Sequence, residues 1–154
     1  MPNINLSKDQ YKVLLKMSEI SSSIYGILGD MVSDNYKKQS NEIEKLNEYF
    51  LENAKNFGCE KFAEKYKGKY IPSDPFSKKI DSAIFEYDNE TFWNELEIRL
   101  GKRDFEQSIS SQEAKEMKNN NGWYPERIHL IYDKWQKEFE DYGINRLDVV
   151  KNEK

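Results

Sequence analysis

The first helical segment of the sequence has two apolar faces instead of one. Ser7 and Gln10 have the spacing of a capping box, so a helix is predicted from Lys8 to about Val32. One side of this helix carries apolar and small residues: Tyr11, Leu14, Leu15, Ser18, Ser22, Tyr25 and Gly29. The other side carries a series at alternating spacings of four and three, here named the apolar seam: Val13, Met17, Ile20, Ile24, Ile27 and Met31. That spacing is typical of a helix that pairs with another helix.

Two explanations of the apolar seam are open. A helix that is apolar on all sides is expected to be buried on all sides, so this one would be central and wrapped by the others. Alternatively, the seam stays on the surface and pairs with a second copy or with another protein. Replacing Ile24 by Glu would unfold the monomer in the first case and split a dimer in the second.

Helical periodicity also recurs in the other long segments, and strand signals are nearly absent. Helices are predicted over residues 41–57 and 60–66, from Asp74, from Asp88, from Ser110 and from Pro125 to Gly143, with loops at residues 68–73 and 119–122. Mean hydropathy is low, at -0.95, but ten Tyr, eight Phe and three Trp supply large side chains for a core. We therefore expect an all-α fold, a single domain over residues 1–154 that forms an irregular bundle of five or six helices.

Charge and cysteine content limit which class of partner the chain can bind and which cellular compartment it fits. The formal net charge of -4 makes direct nucleic-acid binding unlikely, because that affinity comes from surplus Lys and Arg. Cys59 is the only cysteine, which excludes an internal disulfide and fits a reducing compartment. No signal-peptide pattern is present, and the uncharged stretch 20–29 is too short to span a bilayer. We expect a cytoplasmic protein with no membrane partner.

Acidic residues cluster in the middle of the chain. Residues 80–98 contain six Asp and Glu side chains and no Lys or Arg. A helix start near Asp88 would explain part of this cluster, since negative charge is favourable there. The alternative is an acidic surface for a basic partner, and its candidate residues, here named the acidic patch, are Glu86, Asp88, Glu90 and Glu97.

The sequence gives little support for catalysis. Glu126 and His129 have the spacing of two metal ligands on one helical face, but di-iron bundles need two such pairs and His129 is the only histidine. There is no nucleophile elbow and no Gly-rich phosphate loop. We therefore predict no catalytic residue, no metal and no cofactor, and an enzyme is disfavoured. Paired carboxylates that hydrolyse sugars remain an alternative.

Three stretches carry a resemblance to a known group of proteins. They are YDNETFWNEL at residues 87–96, continuing to Arg99-Leu100 and Arg103-Asp104; LSKDQY at residues 6–11; and EF followed by GI and RL between residues 138 and 147. In the order of these landmarks the chain resembles a group of small uncharacterised prokaryotic helical proteins. The resemblance spans most of the chain and departs at Ser21-Ser22-Ser23, where bulkier residues are expected. It implies a helical fold, and it transfers no function, because no activity is known for that group.

These observations favour a non-enzymatic protein-interaction module in the cytoplasm, whose partner is another protein or a second copy of the chain. The alternatives are an acidic inhibitor, of the immunity or anti-defence type, that blocks a nucleic-acid-binding enzyme, and a carboxylate-based hydrolase.

Overall fold

The computed structural model describes residues 4–148 and contains five α-helices and one β-hairpin over that range. The helices are α1 (Lys8–Met31), α2 (Asp34–Asn53), α3 (Asp74–Ser108), α4 (Ser111–Asn119) and α5 (Arg127–Tyr142). The hairpin pairs β1 (Ala63–Tyr66) with β2 (Lys69–Pro72) in antiparallel register. The predicted all-α class is confirmed. The chain divides into two compact units, the first ending at Glu86 and the second beginning at Tyr87; the single domain stays a prediction.

The first unit is built on the pairing of α1 with α2. The Ser7 and Gln10 capping box opens α1 as predicted. The Tyr11 hydroxyl donates to the Phe50 carbonyl at 2.6 Å, and its ring stacks on Phe57 with centroids 3.8 Å apart. Contacts between the start of α1 and the end of α2 show that the two helices run antiparallel. Around them lies the core of the unit: Tyr11, Leu15, Leu51, Ala54, Cys59, Phe76 and Ile80.

Three predictions for the first unit are wrong, one of a helix start and two of the type of element. The second helix begins at Asp34, capped by Ser33, and not near residue 41; its first turns are too polar to show an apolar period. Residues 60–66 are not a helix and residues 68–73 are not a loop. Instead, a short 3₁₀ turn (Glu60–Phe62) leads into the hairpin. Lys67 and Gly68 both have positive φ, which is the conformation of a two-residue hairpin turn with the twist that favours antiparallel strands.

The second unit contains the later part of α3 together with α4 and α5. The Ser110 and Glu113 capping box and the turn at residues 120–122 are found as predicted. The helix predicted to start at Asp88 does not exist as a separate element, because α3 continues through that position. An Asp inside a helix costs less than 1 kcal/mol relative to Ala, whereas ending the helix there would leave four carbonyls without partners.

Packing in the second unit is tight where α3 meets α5. Phe105 is fully buried, and Ile128 and Phe139 are nearly so. The Trp135 indole nitrogen donates to Asp104 Oδ2 at 2.8 Å. The Tyr132 ring lies directly over Gly101, where a Cβ atom would be only 2.4 Å from it. Glycine at this position therefore lets the two helices approach each other.

A buried carboxyl lies between α1 and α2. The Asn47 amide nitrogen donates to Glu19 Oε2 at 2.6 Å, and both side chains are buried. Asn47 Oδ1 has no partner among the described residues. Burial raises the pKa of Glu19; the bond from Asn47 lowers it in part, and the charge of Asp81 raises it further. The ionised form of Glu19 is therefore disfavoured in the folded protein.

We expect Glu19→Gln to stabilise the protein at pH 7 by about 1 kcal/mol. Because the folded pKa of Glu19 is raised, its contribution to stability is fully present below the unfolded pKa of about 4.3 and is lost as pH rises through the folded pKa. Gln carries no charge and can both accept from Asn47 and donate to Asn47 Oδ1. Urea unfolding of both proteins between pH 4 and 8 should show a weaker decline of stability with pH in the variant. The control is Glu42→Gln, an exposed position on α2. Equal pH slopes for wild type and Glu19→Gln would contradict this reading.

Candidate functional site

The apolar seam lies on the outer surface of α1. Four of its six members have half or more of their surface exposed, and a fifth has more than a third. The exposed fractions are 80% for Met31, 63% for Met17, 54% for Val13, 50% for Ile27 and 38% for Ile24. Ile20 is half-buried and packs against the core of the first unit. The explanation that α1 is wrapped on all sides is therefore wrong for this chain, and the seam is a surface feature.

The position of the seam follows from the geometry of the helix. Each residue turns the helix by about 100°, so Leu15 points about 200° away from both Val13 and Met17. Leu15 is fully buried in the core of the first unit. The core face and the seam are thus on opposite sides of α1 except at Ile20, and packing against α2 leaves the other five members of the seam uncovered.

The acidic patch is divided between the two units. Glu86 belongs to the first unit, and the other three residues belong to the second. Asp88 and Glu90 are two residues apart on α3, so their side chains leave the helix in nearly opposite directions. Glu90 and Glu97 are two turns apart and share a face. Within the second unit, the structure therefore brings together two of the three predicted residues.

Glu90 and Glu97 line an open groove between α3 and α5, here named the α3–α5 groove. Its volume is about 450 Å³. Its wall contains two aromatic rings, Trp93 and Phe139, whose centroids are 5.4 Å apart. The full set of lining residues is Glu90, Trp93, Asn94, Glu97, Gln136, Phe139 and Glu140.

The α3–α5 groove is electrostatically negative. Three of its lining residues are glutamates, and none of the seven is basic. Burial raises the pKa of Glu97, and the charges of Asp133 and Glu140 raise it further. Glu140 accepts a hydrogen bond from the Gln136 amide at 2.9 Å. A cation placed among these carboxylates would relieve their mutual repulsion.

The residues that α5 contributes to the groove are not among those predicted from the sequence. Gln136 and Glu140 lie one turn apart on the polar side of α5, a pattern common to any exposed helix face. Only the packing of α5 against α3 places Glu140 beside Glu97. Their role depends on a tertiary contact for which the sequence carries no local signal.

The other candidates from the sequence do not form sites. Glu126 and His129 are both exposed, and within residues 4–148 no group of three or more potential ligands is arranged to hold a metal. Cys59 is fully buried, with its sulfur near the carbonyls of Lys8 and Phe57. No helix in that range is long and apolar enough to cross a membrane.

Comparisons of the chain with protein-family models, with curated proteins and with solved structures find no match.

Proposed function

We propose that this chain is a non-enzymatic protein-interaction module of the cytoplasm, and that the apolar seam is its binding surface. The observation that carries the proposal is the exposure of a regularly spaced apolar series on a helix whose opposite face is buried. Scattered apolar residues are normal on a protein surface, but a contiguous apolar stripe marks an interaction site. The lone, buried Cys59 is compatible with a reducing compartment.

The spacing indicates what kind of surface would cover the seam. Alternating steps of four and three residues keep the side chains in a stripe along one side of a helix. A partner helix laid along this stripe buries each member between side chains of its own. The seam therefore suits a helix better than an extended peptide or a small molecule.

The test of the proposal is to compare complexes formed by wild type, Met17→Glu and Leu46→Glu in a native lysate. Leu46 is the matched control, because it is an apolar residue on α2 that is 51% exposed and lies outside the seam. We expect wild type and Leu46→Glu to form the same complexes, either with a second copy or with another protein. Met17→Glu should lose them at least tenfold, because a charge in the covered seam has no partner. Complexes of equal mass and yield for all three proteins would contradict the proposal.

The α3–α5 groove favours a second candidate function, an acidic inhibitor that blocks a nucleic-acid-binding enzyme. Three glutamates without a basic neighbour in the wall offer a negative surface to Lys or Arg side chains. The Trp93 and Phe139 rings add faces on which a cation is favoured. A protein that normally holds phosphates carries such side chains in its binding cleft.

The second candidate is tested with a lysine-rich peptide as the probe. Replacing Glu90, Glu97 and Glu140 together by Gln should weaken binding of the peptide at least tenfold at low salt, because close charge pairs are lost. The control removes the same charge outside the groove, with Asp88→Asn, Glu126→Gln and Asp141→Asn, three exposed positions of the second unit. If both triple variants weaken binding equally, the effect is one of net charge and the groove is not the site.

A further inference from the structure

We propose that the partner of the apolar seam is the same seam of a second copy, with the two α1 helices antiparallel and related by a two-fold axis between residues 20 and 24. This inference rests on the proposed function and names the partner that covers the apolar seam. It follows from three features of α1: the order of side chains along the seam, the charges beside it, and its closure under two-fold symmetry.

The order of side chains fits an antiparallel pair. In that arrangement Val13 faces Met31 of the second copy, and Met17 faces Ile27. Ile20 is half-buried against its own core, and its exposed part faces Ile24 on both sides of the two-fold axis. Each flexible Met thus meets a branched side chain, which combines long with short residues in every layer except the central Ile20 and Ile24 layers. In a parallel pair each residue would face itself, and the Leu positions that favour parallel two-stranded coils are occupied here by Val and Ile.

The charges beside the seam favour the same orientation. Lys16, Ser23 and Asp30 follow one edge of the seam at intervals of seven residues, and the Asp30 side chain is 67% exposed. In an antiparallel pair this edge meets itself in reverse, so Lys16 lies beside Asp30 of the second copy twice and Ser23 lies beside Ser23. In a parallel pair the same edge meets Ser21 and Leu28, which form no ion pair.

Asp30 remains able to accept a second cation. Within the chain its Oδ1 atom is bound by the ammonium group of Lys37. That bond uses one of the two carboxylate oxygens, and a carboxylate accepts several hydrogen bonds. Lys16 is also exposed on α1. Both groups are thus accessible for pairing across the two-fold axis.

Two-fold pairing also limits the assembly to a dimer. The same surface is used by both copies, so the interface closes on itself and leaves no second seam exposed. A single pair of helices buries less than the roughly 1,600 Å² of a standard interface. We therefore expect a dimer that dissociates on dilution in the micromolar range.

The orientation is tested by cross-linking two variants that each add one exposed cysteine, Val13→Cys and Met31→Cys, with a short bifunctional maleimide. In the antiparallel dimer residues 13 and 31 of different copies are neighbours, whereas the two copies of residue 13 are 18 positions apart along the helices, about 27 Å. We expect the yield of cross-linked dimer from a mixture of the two variants, which joins residue 13 to residue 31, to be at least tenfold higher than the yield from either variant alone. Wild type is the control, since Cys59 is fully buried.

A charge exchange gives an independent readout. Lys16→Asp alone should weaken dimerisation about tenfold, because both ion pairs become repulsive contacts. Asp30→Lys alone should weaken it at least as much, because it also loses the bond to Lys37 within the chain. The double exchange should restore dimerisation. No such recovery would occur if either residue had a merely structural role.

The outcomes separate this inference from the proposed function. Efficient cross-linking of Val13→Cys to itself would show parallel helices and overturn the inference, while the seam would remain the binding surface. A chain that stays monomeric at every concentration would also overturn it, and the complexes formed in lysate would then decide the proposed function. The antiparallel register is overturned if the mixture of variants gives no 13-to-31 product and the double charge exchange does not restore dimerisation.

Discussion

Ile24→Glu leaves the chain folded and abolishes its pairing through the apolar seam. Ile24 is 38% exposed, so the new carboxylate reaches water in the single chain. Glu also has a higher helix propensity than Ile, and the free energy of unfolding should change by less than about 1 kcal/mol. In the paired state the same carboxylate faces Ile20 of the second copy and is buried without a partner. We expect the dissociation constant to rise at least ~100-fold.

Circular dichroism and sedimentation on the same samples separate the two effects. Leu46→Glu is the control, because it introduces the same charge on α2, outside the seam. Its helical signal, its thermal midpoint and its sedimentation should match those of wild type. Unfolding of Ile24→Glu would mean that the seam belongs to the core, and a folded variant of unchanged mass would mean that the seam pairs with nothing.

Gly101→Ala destabilises the second unit by roughly 1–3 kcal/mol, the usual cost of overpacking. A new Cβ atom would be 2.4 Å from the Tyr132 ring, a distance that forces α3 and α5 apart or moves the ring out of its rotamer. This loss exceeds the gain of up to about 1 kcal/mol that Ala normally gives over Gly inside a helix. A single contact thus turns a substitution that normally stabilises a helix into one that destabilises the protein.

Gly26→Ala is the matched control for Gly101→Ala. Gly26 lies inside α1, and apart from the neighbouring backbone of its own helix an added Cβ would meet no atom within 4 Å. This substitution should therefore stabilise the protein by roughly 0.5–1 kcal/mol. Chemical unfolding of the two variants and wild type measures both changes. If Gly101→Ala stabilises the protein as much as Gly26→Ala does, Tyr132 does not pack directly against Gly101.

The features that local patterns determine were predictable from the sequence. The start of α1, the start of α4 and the end of α5 follow from Ser7 with Gln10, Ser110 with Glu113, and Gly143, because caps act within one turn of the residue that forms them. The apolar seam was also found, since helical spacing alone places its members on one stripe. Its exposure was not predictable, because it depends on which face α2 covers.

The features that depend on competition between structures were missed. The stretch around Lys67-Gly68 has few apolar residues, and the hairpin is favoured there by backbone conformation more than by a repeating pattern. Asp88 has the preference of a helix cap, but continued backbone hydrogen bonding along α3 outweighs that preference. A capping signal indicates where a helix is able to start, and the surrounding contacts decide whether it does.

The α3–α5 groove illustrates what sequence reasoning leaves out. Glu90 and Glu97 were predicted as part of an acidic patch, but Glu140 was not, although it lines the same groove. Residues far apart in the chain become neighbours only through packing, and no spacing rule connects positions 97 and 140. Asp88 was grouped with Glu90 by proximity in sequence, and the helix separates them.

Sedimentation velocity of the wild-type chain over a concentration series tests the account most directly. We expect an 18.4 kDa species at low concentration and a species of twice that mass in the upper micromolar range, with the shift absent in Ile24→Glu. A wild-type chain that keeps the monomer mass at every concentration would contradict pairing of the apolar seam with a second copy.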